Sequence, residues 1–525
     1  MPVLTAIDLL GIQEFIFGSN RLRDAVAASQ AIRLICSDDS EGWLAELKGP
    51  GSILLSGGGN ALLEFPDLAG AHRFAASFSR RLYDHLPALG AVIVHRAFQP
   101  GSLAEAIDRV YTDAAVAKTQ RLDGPATQGW GVTAACARTG QVATGTDPDD
   151  GSQPVSATLR ELQSFLPSAN RRWERFLPTE PEALAFPLEL DHLGRSTGER
   201  SFLAVVHIDG NRIGAKISKW LKGAATRGLS DAKVKQAYRD WSSALDRIGE
   251  QALAAIVQRV SQHLLRAEDK VLMTGAIPQL NFALHRAKDR VYLPLRPLIL
   301  GGDDLTYVCD GRLAWATARV ALEAFANATV PYLGTIGACA GLALVKTHSP
   351  FSRAYALAEH LCRSAKRALQ ADGASDDLAL DWHIGGGGDF DDLESYRQRT
   401  YRSGSFSLTC RPYRCSPHQG STLDWPWVAD TLLGTYEFSF HGPVWRTRRH
   451  KIKELAEVVR QGPEGVRQAF DAWRVSVPNL RLPPPIEQGF CDKNRTPLLD
   501  AIELLDLCQH LPGRNTHQAA APGGR

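Results

Sequence analysis

Asp303 and Asp304 stand side by side behind Gly301 and Gly302, between the apolar runs Leu298–Leu300 and Leu305–Val308. The pattern predicts strand, tight turn, strand. Glycine permits positive φ and lets another backbone or a phosphate come close. Adjacent carboxylates repel each other, so the pair is costly unless a cation neutralises it. Composition alone would equally fit a solvated turn. A third acid, Asp209, ends the apolar run Phe202–Ile208, and a strand there is expected to lie beside the hairpin. Carboxylates gathered at one sheet edge form an oxygen site for Mg²⁺ or Mn²⁺. The expected metal set is Asp209 with the adjoining Ile208, Asp303 and Asp304; the three aspartates are the expected catalytic residues.

A nucleotide is the expected partner of such a metal. Gly210-Asn211-Arg212-Ile213-Gly214 turns from the strand into a helix, so Gly210, Asn211 and Gly214 offer backbone N–H groups to a triphosphate. Gly301 and Gly302 would admit it closely. Lys366 and Arg367, on a later helix, are placed to reach its β- and γ-phosphates. The chemistry implied is nucleotidyl transfer from a nucleoside triphosphate. Each residue also has a plainer role open to it: Asp209 as a helix cap, Lys366 and Arg367 as solvated charges.

The elements that must position these residues occur twice. Val3–Leu10 reads as a strand, followed by an alanine-rich helix to about Cys36. Ser52–Phe65 repeats the strand–glycine–strand device with Gly59-Asn60 in place of the aspartates; a helix over about 69–86 and a strand at 90–98 follow. That is β-α-ββ-α-β, the ferredoxin-like order. The same order returns at 202–209, the 301–304 hairpin, a helix from 312, a strand at 334–345 and a helix over 351–369, with a helical insertion at about 231–266. The expected class is α+β, with two ferredoxin-like palm domains and a helical C-terminal domain. Residues 1–100 form the first palm, 101–200 a connector, and 201–384 the second palm. A linker with a strand at 405–412 spans 385–424, helices 425–512, and a disordered tail 513–525. Asp8 stands where Asp209 stands, but Gly59-Asn60 is a poor ligand set, so the first site is expected to be degenerate.

Composition narrows the setting. The chain has 525 residues, 44% hydrophobic and 22% charged, with net charge +2, so nothing in bulk drives it to nucleic acid or membrane. No apolar run approaches a membrane span. Nine scattered cysteines fit a reducing compartment, hence the cytoplasm, better than a disulfide framework. Arg446, Arg448, Arg449 and Lys451 cluster at the start of a helical stretch, where they oppose the helix dipole. A solvated surface or a contact to RNA backbone would each account for them.

Gly11-Ile12-Gln13-Glu14-Phe15-Ile16-Phe17 with Ser19-Asn20-Arg21-Leu22-Arg23, then His207-Ile208-Asp209-Gly210-Asn211, then Gly301-Gly302-Asp303-Asp304, resembles the CRISPR polymerase family. These are the large subunits of type III CRISPR effector complexes, whose two palms face each other. The resemblance implies synthesis of cyclic oligoadenylate from ATP with a divalent metal, Asp209, Asp303 and Asp304 as ligands, and Lys366 as a phosphate contact. It also implies guide and target RNA and other effector subunits as partners, in antiviral defence. Because the chain opens at the first palm, neither the N-terminal histidine–aspartate nuclease domain of many relatives nor DNase activity is expected. Cys136 alone remains of the zinc region between the palms, and Cys410 and Cys415 lack a second close pair, so zinc is not expected. A different cyclic nucleotide as product, or a non-catalytic scaffold subunit, are the alternatives.

Overall fold

The computed structural model describes residues 1–120, 130–149, 151–179, 183–194, 202–267, 270–287, 289–347, 349–385, 392–416, 423–491 and 494–513. The glycine run beyond Gly385 and the tail beyond Gly513 lie outside the described residues. The architecture is mixed helix and strand, built on two sheets.

The first sheet begins with β1 (Val3–Leu10), which leads through α1 (Ile12–Phe17) into α2 (Leu22–Ile35). β2 (Ser52–Gly57) and β3 (Asn60–Phe65) form a hairpin over Gly58 and Gly59, both at positive φ. α3 (Leu68–His85) and β4 (Gly90–Ala97) follow. The Asp67 carboxylate caps α3 by accepting from Gly70 N–H at 2.7 Å, and Phe74, Phe78 and Leu82 line its buried face. Strand order is β2-β3-β1-β4, all antiparallel. α4 (Leu103–Gln120), expected in a connector, packs on β1 and β4. α5 (Leu166–Glu174) then packs on α2.

The second sheet repeats this frame and extends it. β5 (Phe202–Gly210) is buried along most of its length, as its unbroken apolar run requires. α6 (Ile213–Thr226) and the 31-residue α7 (Asp231–Ser261) separate it from the hairpin of β6 (Leu295–Gly301) and β7 (Asp304–Asp310). α8 (Ala314–Ala326), β8 (Ala338–Lys346) and α9 (Phe351–Ala371) complete the repeat. β9 (Leu378–Ile384) then adds parallel to β8, and β10 (Tyr413–Arg414) adds to β9. The order is β6-β7-β5-β8-β9-β10.

The two halves contact each other reciprocally. α2 of the first packs on β6 of the second, and α7 of the second packs on β2 of the first; α1 meets α9 as α4 meets α6. Two apolar cores run through both halves: Val3, Ile7 and Leu203, Val205 share one, and Leu4, Ala6 and Ala204, Val206 the other. Alternation along β1 and β5 sends odd and even residues to these different cores.

Beyond the sheets the sequence reading needs correction. The strand expected at 405–412 is a two-residue ladder at Phe406–Ser407 followed by irregular chain. Pro412 has no N–H to donate, and Arg411 N–H is taken locally by the Thr409 hydroxyl at 3.2 Å. The helices expected over 425–512 include α10 (Arg449–Val458) and α11 (Gly462–Ser476), divided at Gly462 with φ +81°. α12 (Leu498–Leu504) is correspondingly short.

Candidate active site

The β5–β7 ladder sets Asp209 directly opposite Asp304 and His207 opposite Thr306. Residues two apart share a face, so His207 and Asp209 point to the same side, as do Asp304 and Thr306. The His207 imidazole Nδ1 lies 3.3 Å from Asp304 Oδ1 and 2.9 Å from Thr306 Oγ1. Burial would depress the His207 pKa, but the Asp304 carboxylate beside it wins and the net shift is upward.

The hairpin tip is held from three directions. Gly302, at φ +62°, donates its N–H to Asp246 Oδ1 of α7 at 3.2 Å. Arg172 of α5 donates to the Leu300 carbonyl at 2.8 Å. Gly210 N–H donates to the Asp303 carbonyl at 3.2 Å. A Cβ at Gly210 would stand 2.8 Å from both Cβ and Oδ2 of Asp303, so only glycine lets that carboxylate sit where it does. Asp303 is pushed up to about 7, first by burial and then by the charges of Asp209 and Asp304.

Lys366 of α9 reaches across the strand end. Its Nζ donates to Asp209 Oδ2 at 2.6 Å and to the Gly210 carbonyl at 2.7 Å. Asp209 lifts the Lys366 pKa against the opposing effect of burial. Arg367, about 100° further round the helix, is exposed, and its charge acts on His360 instead. The structure therefore brings Lys366 to the acids and leaves Arg367 outside. Asn211 is buried, its N–H donating to the Gly337 carbonyl at 2.8 Å and its side-chain amide to the Asp377 carbonyl at 3.0 Å. Arg212 at φ +57° then turns the chain into α6, on whose first turn Gly214 is exposed. Ile208 is fully buried on the opposite side of β5.

The first sheet carries a counterpart. Asp8 lies opposite Asn60, and Leu9 N–H donates to the Gly59 carbonyl at 2.9 Å, matching Gly210 to Asp303. Lys118 of α4 pairs with Asp8 as Lys366 pairs with Asp209. The two hairpin tips meet: a Cβ on Gly301 would lie 3.4 Å from Gly58 Cα. The motif after β1 serves this junction. Phe17 stacks on Phe351 and Tyr355 at 5.4 and 4.3 Å, and Asn20 Oδ1 accepts from Phe351 N–H at 3.1 Å, at the start of α9. Tyr355 in turn meets His207 edge-on at 5.5 Å.

Among the described residues, no group of three or more histidine, cysteine, aspartate or glutamate side chains is gathered to hold a metal ion as it stands. Lys366 pairs with Asp209, and His207 Nδ1 lies 3.3 Å from Asp304. The donor chemistry nonetheless fits a divalent cation. Asp209 and Asp304 face each other across the ladder with Asp303 next to Asp304 at the hairpin tip, and carboxylate oxygens are the ligands such a cation takes.

His207 stands in the motif that carries the resemblance but has no role assigned there, and Asp246, Arg172 and Lys118 are not among the residues read from sequence. His207 alone had a readable signal, its spacing of two from Asp209; the others arrive from distant elements.

No family model and no curated protein matches the sequence. Solved structures do. A Csm1–Csm4 cassette in complex with one ATP matches over 97% of this chain and 70% of its own, at 16% identity and TM-score 0.53. A Csm1–Csm4 cassette in complex with AMPPNP matches 96% of this chain and 69% of its own, at 17% identity and TM-score 0.52. Csm1 in T. onnurineus gives the same coverage, identity and score. The chain has the fold of Csm1. Csm1 is a large subunit of type III CRISPR systems, the group the sequence motifs resemble. The likeness to Csm1 covers both sheets and the helical part that follows them. As to membranes, no helix among the described residues is long and apolar enough to cross one.

Proposed function

We propose that the chain is a metal-dependent nucleotidyltransferase that makes cyclic oligoadenylate from ATP, acting in CRISPR-type antiviral defence. One observation carries the reading: Asp209 opposes Asp304 in register, with the half-buried Asp303 beside them and Lys366 bridging to Asp209, where two glycine hairpins face each other. Residues 1–100 and 201–384 are read as two ferredoxin-like palms, the second catalytic. Asp209, Asp303, Asp304 and the Ile208 carbonyl would hold Mg²⁺ or Mn²⁺. A divalent cation there supplies activation of an attacking hydroxyl and stabilisation of departing pyrophosphate. The chain's own groups divide the remaining work. His207 orients Asp304, Lys366 steadies Asp209 and stands ready to turn to a phosphate, Asn211 fixes the turn after β5 through Gly337 and Asp377, and Gly210, Gly214, Gly301 and Gly302 leave room for the triphosphate. The Csm1–Csm4 neighbours bound to ATP and AMPPNP support ATP as substrate and a second effector subunit as partner. Guide and target RNA and a cytoplasmic setting belong to the same reading.

Incubating the purified chain with each nucleoside triphosphate and Mn²⁺, alone and with a target-RNA complex, tests this directly. Oligoadenylate and pyrophosphate, resolved by mass spectrometry, are expected. A second reading is a nucleotide-binding scaffold, favoured by one fact: the chain's own Lys366 pairs with Asp209, and His207 lies 3.3 Å from Asp304. Nucleotide binding without pyrophosphate under every condition would support that reading instead.

A further inference from the structure

Arg296 is the second residue of β6, at the end remote from the glycine hairpin, and is 1% exposed. At about 3.3 Å per residue it lies roughly 17 Å from Gly301. Its Nη2 donates to Asn170 Oδ1 of α5 at 3.0 Å, a neutral acceptor, and its Nε is buried with no hydrogen-bond partner. Among the described residues no carboxylate comes within ion-pair distance of it. Burial pushes its pKa down to about 9, and Glu174 only partly counters this. A buried guanidinium without a counter-charge is costly to keep, so what it faces matters.

It faces a cavity of about 180 Å³ that opens between α2, α5 and the strand at 290–292. Arg23 and Arg290 line the same space, and His192 and Tyr292 form one wall. His192 stacks on His285 at 3.9 Å and 7°, and burial beside His285 lowers its pKa, so the positive charge here belongs to the arginines. Of these, Arg23 already pairs with Asp149 and with Glu189 at 3.3 Å. The deep charge left without an ion-pair partner is that of Arg296. Two exposed acids also line the cavity: Glu189 is held by Arg23, which leaves Glu174 as the acid that would oppose an incoming anion.

We infer that this cavity is a phosphate-group site, separate from the candidate active site, with the Arg296 guanidinium at its floor. The guanidinium fork matches phosphate oxygens, and several arginines around one small space suit a group with more than two oxygens. The volume is below the roughly 300 Å³ at which drug-sized sites begin, so the occupant is inorganic phosphate or a small phosphomonoester rather than a nucleotide.

The test is thermal unfolding of the full chain titrated with inorganic phosphate, and separately with ribose 5-phosphate, at constant ionic strength. A ligand that binds only the folded state raises Tm with concentration. The parent and the Asp303→Ala/Asp304→Ala variant should rise alike, which separates this site from the active site. Arg296→Gln should need about tenfold more phosphate for the same rise, the scale for losing a charged hydrogen bond. Glu174→Gln, a surface change that leaves the fold alone, should need less than the parent. A larger rise with ribose 5-phosphate would assign a phosphomonoester, and an equal or smaller one inorganic phosphate. A flat parent titration, or equal phosphate dependence in the parent and Glu174→Gln, would overturn the assignment whether or not Arg296→Gln folds.

Discussion

Lys118 occupies in the first sheet the place that Lys366 occupies in the second. Each lies fifteen residues beyond the first residue of the helix after the fourth strand, and each pairs with the acid near the end of the first strand. The repeat therefore preserves a lysine–aspartate pair in both halves, while the opposing residue is Asn60 in one and Asp304 in the other. If the acid pair on the hairpin is what chemistry requires, the two halves should differ sharply under mutation. Asp303→Ala/Asp304→Ala is expected to reduce pyrophosphate release by two orders of magnitude or more, the scale for loss of a main electrostatic contact, with circular dichroism unchanged. Asp8→Ala should reduce it much less. Equal losses would mean that the first half is also catalytic.

Lys366 has two tasks that one substitution can separate. Without nucleotide it holds Asp209 and the Gly210 carbonyl; with nucleotide, the proposed function turns it to phosphate. Lys366→Met should raise KM for ATP several-fold or more, and it should strengthen Mn²⁺ binding, because Asp209 loses its own counter-charge. Electron paramagnetic resonance of free Mn²⁺ measures the second effect without turnover. Weaker Mn²⁺ binding in Lys366→Met would show that the lysine organises the acids instead of competing for them.

What the sequence disclosed followed local physics. The two hairpins were legible because glycines that accept positive φ, Gly58, Gly59 and Gly302, interrupt apolar runs. Asp209 was legible because it ends such a run. The strand Leu378–Ile384 was not, since Asp381 and His383 break its apolar face. Asp381 is fully buried with Arg397, from later in the chain, as a fork on it at 2.8 Å. The basic cluster shows the same limit. Arg449 pairs with Asp506, and Lys451 lies 3.8 Å from Glu454 and 4.6 Å over the Trp473 ring. Much of a charge that looked available for RNA is thus used within the chain.

Gly210 offers a test of packing at the site. A methyl there would meet Asp303 at 2.8 Å, so either the carboxylate or the strand end must move. Gly210→Ala is expected to cost about 1–3 kcal/mol in stability, as overpacking does, and to lower turnover well beyond what that loss explains. Gly214→Ala, with open space around its Cβ, should leave stability unchanged. Urea unfolding beside a pyrophosphate assay distinguishes them. Parent-like activity in Gly210→Ala would mean that the position of Asp303 is not critical.

His383 predicts how the second sheet responds to acid. It lies on β9, 1% exposed, edge-on to Tyr396 at 5.1 Å, with Asp381 two residues away. Burial, then the charges of Arg397 and Arg411, lower its pKa to about 4 from 6.5. The unfolded chain therefore takes up a proton between those values and the folded chain does not. Stability is fully present above pH 6.5 and is lost as pH falls towards 4, by at most about 3 kcal/mol at roughly 1.4 kcal/mol per pH unit. Asp381, held low by Arg397 despite complete burial, adds a loss of the same sign at still lower pH. Urea midpoints should thus fall between pH 7.5 and 5, and His383→Gln, which cannot titrate, should fall less. An unchanged pH dependence in His383→Gln would place the acid sensitivity elsewhere, with His441, whose pKa burial also lowers to about 4, as the next residue to replace.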